Sequence, residues 1–143
     1  MNHTGQGKRK VVARVAKQAA PWLILLLLVA FAAGLLPISP SAVATGSMEP
    51  EIAPGDLAII DKTACDRLEE GDIIQFKRDG YTVIHRIVDI SQTEQGETVF
   101  TTKGDANNAP DTQAVPLEDV VGRYLFCIPK AGWPSLWIGS LFR

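Results

Sequence analysis

Thr45-Gly46-Ser47-Met48-Glu49-Pro50 lies a few residues after the only long apolar run of the 143-residue chain, residues 19–38. A serine in a Gly-Ser turn, just past the end of a predicted membrane helix, would lie at the membrane surface. If Ser47 is a nucleophile, its substrate should lie there too. Such a serine needs a base that takes its proton, an acid that orients the base, and a surface that binds the substrate.

The apolar run is long enough to cross a membrane. Residues 19–38 supply the roughly 20 residues that a helix needs to span the hydrocarbon layer. Trp22 would lie at headgroup level, and Pro21 would occupy the first helical turn, where its missing N–H costs nothing. Gly34 is expected within this helix and Pro37 is expected to end it. We therefore predict a transmembrane anchor at residues 19–38.

The charge of the chain is divided unevenly between the two sides of this anchor. Residues 1–18 carry five basic residues and no acid, and the net charge of the whole chain is −2. This pattern predicts a cytoplasmic N-terminal tail, by the positive-inside rule, and an extracytoplasmic remainder. The basic tail could instead be a nucleic-acid arm, but the remainder is acidic and lacks the clustered cations that phosphate binding needs. We expect a single-pass cell-membrane protein without a nucleic-acid partner.

Ala42-Val43-Ala44 supports a rival interpretation of the same region. It resembles the small-x-small site of a cleavable signal peptide, and the cleaved product would begin at Thr45. The apolar run is longer than the roughly 7–15 residues usual for a signal peptide. An uncleaved anchor is therefore favoured, and the sequence leaves self-cleavage at this site open.

From Ile52 onward, short strands alternate with turn signals, which is the pattern of an all-β domain. Asp79-Gly80 is the strongest hairpin signal. The loop at residues 104–116 is rich in Asp, Asn and Pro, and its length indicates a functional role. We predict a β-rich domain over residues 39–130, with strands at residues 57–61, 73–77, 81–90, 98–103 and 120–128.

The C-terminal segment, residues 131–143, is apolar but too short to span a bilayer. Its tryptophans, Trp133 and Trp137, and its terminal Arg143 suit a segment that dips into the membrane interface beside the anchor. Packing on the β domain is an equally supported alternative.

The two cysteines, Cys65 and Cys127, define no metal site. Their spacing fits no zinc pattern. One disulfide in an oxidising compartment and two buried free thiols both fit the sequence.

His85 is the only histidine outside the basic tail, which holds His3. A lone histidine in a strand is more often structural than catalytic. A catalytic histidine also needs an acid that holds its tautomer and stabilises the imidazolium. Asp105 and Asp111 lie in the long loop, where aspartates usually make turns. The hypothesis of catalysis therefore depends on the serine, the histidine and an acid occurring together.

Three motifs occur in a fixed order: residues 45–50, then Val83-Ile84-His85-Arg86, then Thr102-Lys103-Gly104-Asp105. They closely resemble the motifs of type I signal peptidases, in particular the endoplasmic-reticulum type that also occurs in archaea and some Gram-positive bacteria. The resemblance extends from the anchor to about Gly132. The usual bacterial enzymes have a lysine where His85 stands, whereas the endoplasmic-reticulum type has histidine followed by arginine.

The resemblance implies a role for each candidate residue. Ser47 would attack the scissile carbonyl, and His85 would act as general base and then as general acid. Asp111 would orient His85, while Asp105 would support the loop or substitute for Asp111. The Thr45 hydroxyl and the Ser47 backbone N–H would stabilise the oxyanion, a contribution of about 3–4 kcal/mol for one donor in comparable sites.

The resemblance also implies a fold and a function. The family has a β-rich, partly open barrel-like sandwich, and it removes signal peptides from exported pre-proteins after small residues. The substrate would add as a strand to an exposed sheet edge, with small side chains in shallow pockets. No metal or organic cofactor is implied. The implied partners are signal peptides and membrane lipid, with the secretion translocon as a further candidate.

Two positions depart from the family's pattern. Thr45 stands where serine is common, which keeps the hydroxyl, and Ala106 interrupts the usual Gly-Asp-Asn-Asn. Two other functions fit the sequence less well: a catalytically silent, membrane-anchored peptide-binding β domain, and a self-cleaving protease domain of the repressor type. The second shares this fold but normally uses lysine, and the predicted anchor argues against it.

Overall fold

The computed structural model of the chain describes residues 4–140, with side chains for residue 15 and residues 17–137. The chain divides into two compact units, of which the first ends at Leu36 and the second begins at Pro37. The elements are α1 (Thr4–Ala32), β1 (Ile38–Ala42), β2 (Leu57–Asp61), β3 (Ile73–Arg78), β4 (Tyr81–Gln92), β5 (Thr98–Lys103), β6 (Val115–Pro116), a 3-10 turn (Leu117–Asp119), β7 (Val120–Ile128) and α2 (Trp133–Ser140).

Helix α1 corrects two predictions about the apolar run. Pro21 lies inside the helix rather than in its first turn, because the Lys-, Arg-, Ala- and Gln-rich residues before it favour helix. Gly34 lies beyond the helix end rather than within it, with a φ of 67°. The Gly34 N–H donates to the Phe31 carbonyl and the Leu35 N–H to the Ala30 carbonyl, which is the Schellman pattern of a helix C-terminus. Gly34 therefore ends α1 before Pro37 is reached.

No helix within the described residues combines the length and the hydropathy that crossing a membrane requires.

The second unit contains one antiparallel sheet of seven strands, in the order β1-β2-β7-β3-β4-β5-β6. The five predicted strands are all present, and the mainly β class is confirmed. The sequence did not predict β1 or the two-residue β6. β1 contains Pro40, which cannot donate to a ladder and is tolerated here because β1 is an edge strand.

β1 extends the sheet across the start of the rival cleavage site. Its residues pair with β2 from Ile38 opposite Asp61 to Ala42 opposite Leu57. The next residue, Val43, is buried, and its N–H and carbonyl bond the backbone of residues 55 and 56. Cleavage after Ala44 would break the covalent link between these residues and the domain with which they pair.

Strand β3 lies between two hydrophobic clusters. Successive strand residues point to opposite faces of a sheet, and Ile73 to Phe76 are all buried. Ile73 packs in one cluster with Val43, Met48, Ile52, Ala58 and Ile60. Ile74 and Phe76 pack in the other with Ile87, Phe100 and Val115. Both faces of β3 are therefore covered, which fixes the position of its neighbour β4.

Cys65 and Cys127 are free thiols, and both are half-buried. Burial, and then the negative charges of Asp61 and Asp66, raise the pKa of Cys65. A raised pKa keeps a thiol protonated and poorly nucleophilic. Of the two possibilities that the sequence left open, the structure has two thiols rather than a disulfide.

Asp56 joins the loop before β2 to the C-terminal segment. Its carboxylate accepts hydrogen bonds from the backbone N–H groups of Ala53 at 3.1 Å and Lys130 at 3.0 Å. The Gly132 N–H donates to the Gly55 carbonyl at 2.9 Å. Gly55 has a φ of 90°, and the Trp133 indole occupies the space where a Cβ would lie. The start of α2 is thus held on this loop.

Acid is expected to destabilise the fold partly through Asp56. The N–H of Lys130, and then that of Ala53, hold the pKa of Asp56 below its ordinary value of 3.8. A lowered folded-state pKa contributes stability that is complete above the ordinary value and is lost as the pH falls through the folded-state value. Between about pH 5 and about pH 2.5, the free energy of unfolding should therefore fall less in Asp56→Asn than in the wild type.

Urea unfolding of the full chain in detergent would measure this difference. The Thr63 hydroxyl and N–H lower the pKa of Asp61. Because the variant keeps Asp61, it should keep part of the acid sensitivity. Equal acid sensitivity in the two proteins would contradict the prediction.

Candidate active site

Ser47, His85 and Asp111 lie in a hydrogen-bonded row. His85 Nε2 lies 3.2 Å from Ser47 Oγ, and His85 Nδ1 lies 2.7 Å from Asp111 Oδ2. The two ring nitrogens of one imidazole thus face a hydroxyl and a carboxylate. In this arrangement a histidine can take the hydroxyl proton while the carboxylate holds its tautomer and stabilises the imidazolium.

His85 is held by the sheet. It lies on β4 opposite Ile74 of β3 and is 7% exposed. The Phe76 ring meets the imidazole edge-on, with ring centroids 6.3 Å apart and an angle of 67° between the planes. Its contacts with Ser47, Asp111 and the Phe76 ring give the imidazole a fixed orientation. Its burial also strengthens the hydrogen bonds that it makes.

Asp111 is fixed to β5 by Thr102. The Thr102 hydroxyl donates to Asp111 Oδ2 at 2.7 Å, and the Asp111 N–H donates to the Thr102 carbonyl at 2.8 Å. Thr102 is fully buried. This contact was not predicted from the sequence, where the only signal for it is the position of Thr102 in the third motif.

Asp105 lies outside the row. Its two carboxylate oxygens accept hydrogen bonds from Arg86 Nε at 2.9 Å and Arg86 Nη2 at 2.7 Å. Arg86 Nη1 also donates to the Gly71 carbonyl. The bidentate pair holds the start of the long loop against β4, and the structure brings Asp111 rather than Asp105 to His85.

The backbone of Ser47 is held by the same loop. The Ala106 N–H donates to the Ser47 carbonyl at 2.9 Å. A Cβ on Gly104 would lie 2.6 Å from that carbonyl oxygen, so only glycine permits this approach. The Thr45 hydroxyl lies 3.5 Å from Ser47 Oγ, which puts the predicted oxyanion donor beside the candidate nucleophile.

Gly104→Ala is expected to lower kcat/KM for peptide cleavage by about 10²-fold, because an added Cβ displaces the loop or Ser47 by a fraction of an ångström or more. Circular dichroism and steady-state cleavage rates would measure the effects on fold and activity. Gly96→Ala is a matched control: its Cβ would meet open space and its φ of 82° would cost about 1 kcal/mol of stability. Equal loss of activity in both variants would contradict the role given to Gly104.

A cleft of about 400 Å³ opens beside Ser47 and His85. One wall is residues 41–45 with Met48 and Ile52, and the other is Tyr81–His85 of β4. Asn107, which the sequence analysis did not single out, also lines it. The site therefore includes a largely apolar groove that leads to the serine hydroxyl.

The wall formed by β4 has an unpaired edge. β4 pairs with β3 over Tyr81–Arg86 and with β5 over Arg86–Gln92. Within the part of the chain that the structure describes, Tyr81–His85 has no strand on its second side. An extended peptide could pair with this edge through backbone hydrogen bonds.

Residues 16–99 match the family model described as signal peptidase, peptidase S26. Signal peptidase I W of Bacillus subtilis (strain 168) is 44% identical over 86 residues, which cover 58% of this chain and 44% of that protein. The signal peptidase complex catalytic subunit SEC11C of Homo sapiens, like that of Canis lupus familiaris, is 32% identical over 103 residues, covering 66% and 54%. The chain thus spans about half the length of these curated relatives.

The residues that match the family model include Ser47 and His85. The comparisons confirm the resemblance that the three motifs predicted. The family model matches more than half of the chain. Together with the bacterial and SEC11C relatives, this match shows the family. The chain belongs to the signal peptidase family, peptidase S26.

Proposed function

We propose that this protein is a membrane-anchored serine endopeptidase that removes signal peptides from exported pre-proteins after small residues. The single observation that carries the proposal is the position of His85, hydrogen-bonded to Ser47 at one ring nitrogen and to Asp111 at the other. The relatives named signal peptidase support the choice of substrate.

The proposed reaction proceeds through an acyl-enzyme. Ser47 Oγ attacks the scissile carbonyl carbon while His85 Nε2 takes the hydroxyl proton. The Thr45 hydroxyl and the Ser47 N–H stabilise the resulting oxyanion. His85 then gives its proton to the leaving amine, the C–N bond breaks, and the mature protein departs. Water attacks the ester with His85 again as base, which frees the signal peptide and restores Ser47.

The proposed binding mode uses the unpaired edge of β4. The precursor adds as an extended strand beside Tyr81–His85, with its scissile carbonyl at Ser47. The cleft is walled by apolar side chains such as Met48, Ile52 and Ile84. Its volume of about 400 Å³ must hold several substrate residues, which favours small apolar side chains next to the scissile bond.

The proposed membrane attachment rests on exposed apolar side chains. In α1, Trp22 to Val29 are all at least half exposed and apolar, so we assign them to the lipid, with the basic residues 1–18 in the cytoplasm and the β domain outside. In α2, Trp133 and Trp137 are 56% and 68% exposed, which suits an interfacial segment. The secretion translocon stays a predicted partner.

The test is cleavage of a reporter pre-protein by the full chain in membrane vesicles, followed by N-terminal sequencing of the product. The proposal expects one cut after the small residue of the reporter's cleavage site. A matched reporter with a large aromatic residue at that position should stay intact. Binding of the reporter without cleavage would overturn the proposal in favour of the silent peptide-binding domain.

A further inference from the structure

Arg78 ends strand β3 beside the carboxylate that contacts His85. Its Nη1 lies 3.8 Å from Asp111 Oδ2, and its Nη2 donates to the Gln113 carbonyl at 2.8 Å. Its guanidinium carbon lies 5.0 Å from the centroid of the Phe76 ring. The side chain is 19% exposed, so contacts with β3 and with the long loop hold the guanidinium in one place.

Among the residues that the structure describes, one permanent cation lies within ion-pair distance of Asp111 Oδ2. The same oxygen is hydrogen-bonded by His85 Nδ1 and by the Thr102 hydroxyl, each at 2.7 Å. Thr102 is neutral, and His85 carries a charge only while it is protonated. Arg78 is charged at every working pH. One oxygen of the carboxylate is therefore shared by a histidine whose charge changes and an arginine whose charge does not.

Of the other cations described near the row, Arg86 is paired and Lys103 is turned away. Arg86 on β4 is neutralised by its bidentate bond to Asp105. Lys103 alternates with Thr102 along β5 and so points to the opposite face of the sheet. Glu49 in the serine turn lies against Gly46. Arg78 is thus the charged neighbour with the most direct effect on the carboxylate.

We propose that Arg78 is a positioning residue: it fixes the Asp111 carboxylate and sets how strongly that carboxylate stabilises protonated His85. Its effect on catalysis rests on the function proposed above, whereas its effect on the titration of His85 does not. A protonated His85 and Arg78 would share one carboxylate oxygen, and their mutual repulsion would offset part of its attraction for the imidazolium.

The titration of His85 tests the inference directly. The sequence holds two histidines, His3 and His85, so NMR of the full chain in micelles can follow both imidazoles, and His3→Gln assigns the signals. Arg78→Gln should raise the midpoint of the His85 titration by about one pH unit. Arg78→Lys keeps the charge and should leave the midpoint within about 0.3 units. The acidic limb of the pH profile of kcat/KM should move in parallel.

Lys77→Gln is the matched control, because it removes one positive charge from the neighbouring residue of β3, which is exposed and points to the opposite face. It should leave the His85 midpoint unchanged, since exposed distant charges are largely screened. A purely structural role of Arg78 would lower kcat without moving the midpoint.

An unmoved midpoint in folded Arg78→Gln overturns the inference, whatever the cleavage assay gives. Absence of cleavage with a shifted midpoint counts against the proposed function and supports the inference. If Arg78→Gln does not fold, Arg78→Met makes the same change of charge while keeping an apolar side chain that can pack on the Phe76 ring, and the same two outcomes apply.

Discussion

Ser47→Ala and His85→Ala are each expected to lower kcat/KM for precursor cleavage by about 10⁶-fold, and the double variant should lose no more. The hydroxyl is a weak nucleophile until His85 Nε2, at 3.2 Å, takes its proton, so removing either partner removes the same step. Residual activity would come from substrate binding and from the oxyanion donors. Single-turnover cleavage of a reporter precursor would measure all three variants.

Ser91→Ala and His3→Ala are the matched controls, since Ser91 is exposed on β4 and His3 belongs to the N-terminal tail. Both should cleave at the wild-type rate. Activity that survives in a folded His85→Ala variant would reject His85 as the base and direct attention to lysines such as Lys103. If the fold-loss of kcat/KM in the double variant equalled the product of the two single losses, the two side chains would act in separate steps.

Asp111→Asn is expected to lower kcat/KM by about 10⁴-fold while the fold is kept. An amide at position 111 can donate a hydrogen bond to His85 Nδ1, which would stabilise the wrong tautomer, and it cannot stabilise the imidazolium by charge. KM should change little, because Asp111 is not among the residues that line the cleft. Steady-state kinetics with a peptide substrate would separate kcat from KM.

Asp105→Asn is the matched comparison for Asp111→Asn, because it makes the same change in the other candidate acid. Asp105 bonds Arg86, so its loss should disturb the loop and cost about 10²-fold or less through misplacement of Ser47 or Asp111. If Asp105→Asn proved the more damaging substitution, the assignment of Asp111 as the orienting acid would be wrong.

The strands were predictable from the sequence because their signals are local. Short apolar segments next to turn signals such as Asp79-Gly80 gave the positions of β2, β3 and β4 within two residues. β1 was missed because it directly follows the apolar run and contains Pro40, which argues against a strand. The end of α1 was misplaced because Gly34 was interpreted by composition, whereas its left-handed φ makes it a helix terminator.

The site was only partly predictable, since its contacts join distant segments. The three motifs supplied Ser47, His85 and two candidate acids, but spacing alone could not decide which acid faces the histidine. That depends on Arg86, next to His85 and on the opposite face of β4, which takes Asp105 away. The contribution of Thr102 likewise depends on the β4–β5 pairing, which no local pattern shows.

The unpaired edge at Tyr81–His85 has a consequence for how broad recognition can be. A strand edge forms hydrogen bonds with backbone N–H and carbonyl groups, which every polypeptide carries in the same order. Side chains contribute to selection only where they meet the walls of the cleft. An enzyme built in this way can serve many unrelated substrates, provided that each presents an extended segment with little bulk next to the bond that is cut. If the proposed function is correct, sequence diversity among the substrates would follow from the architecture of the sheet.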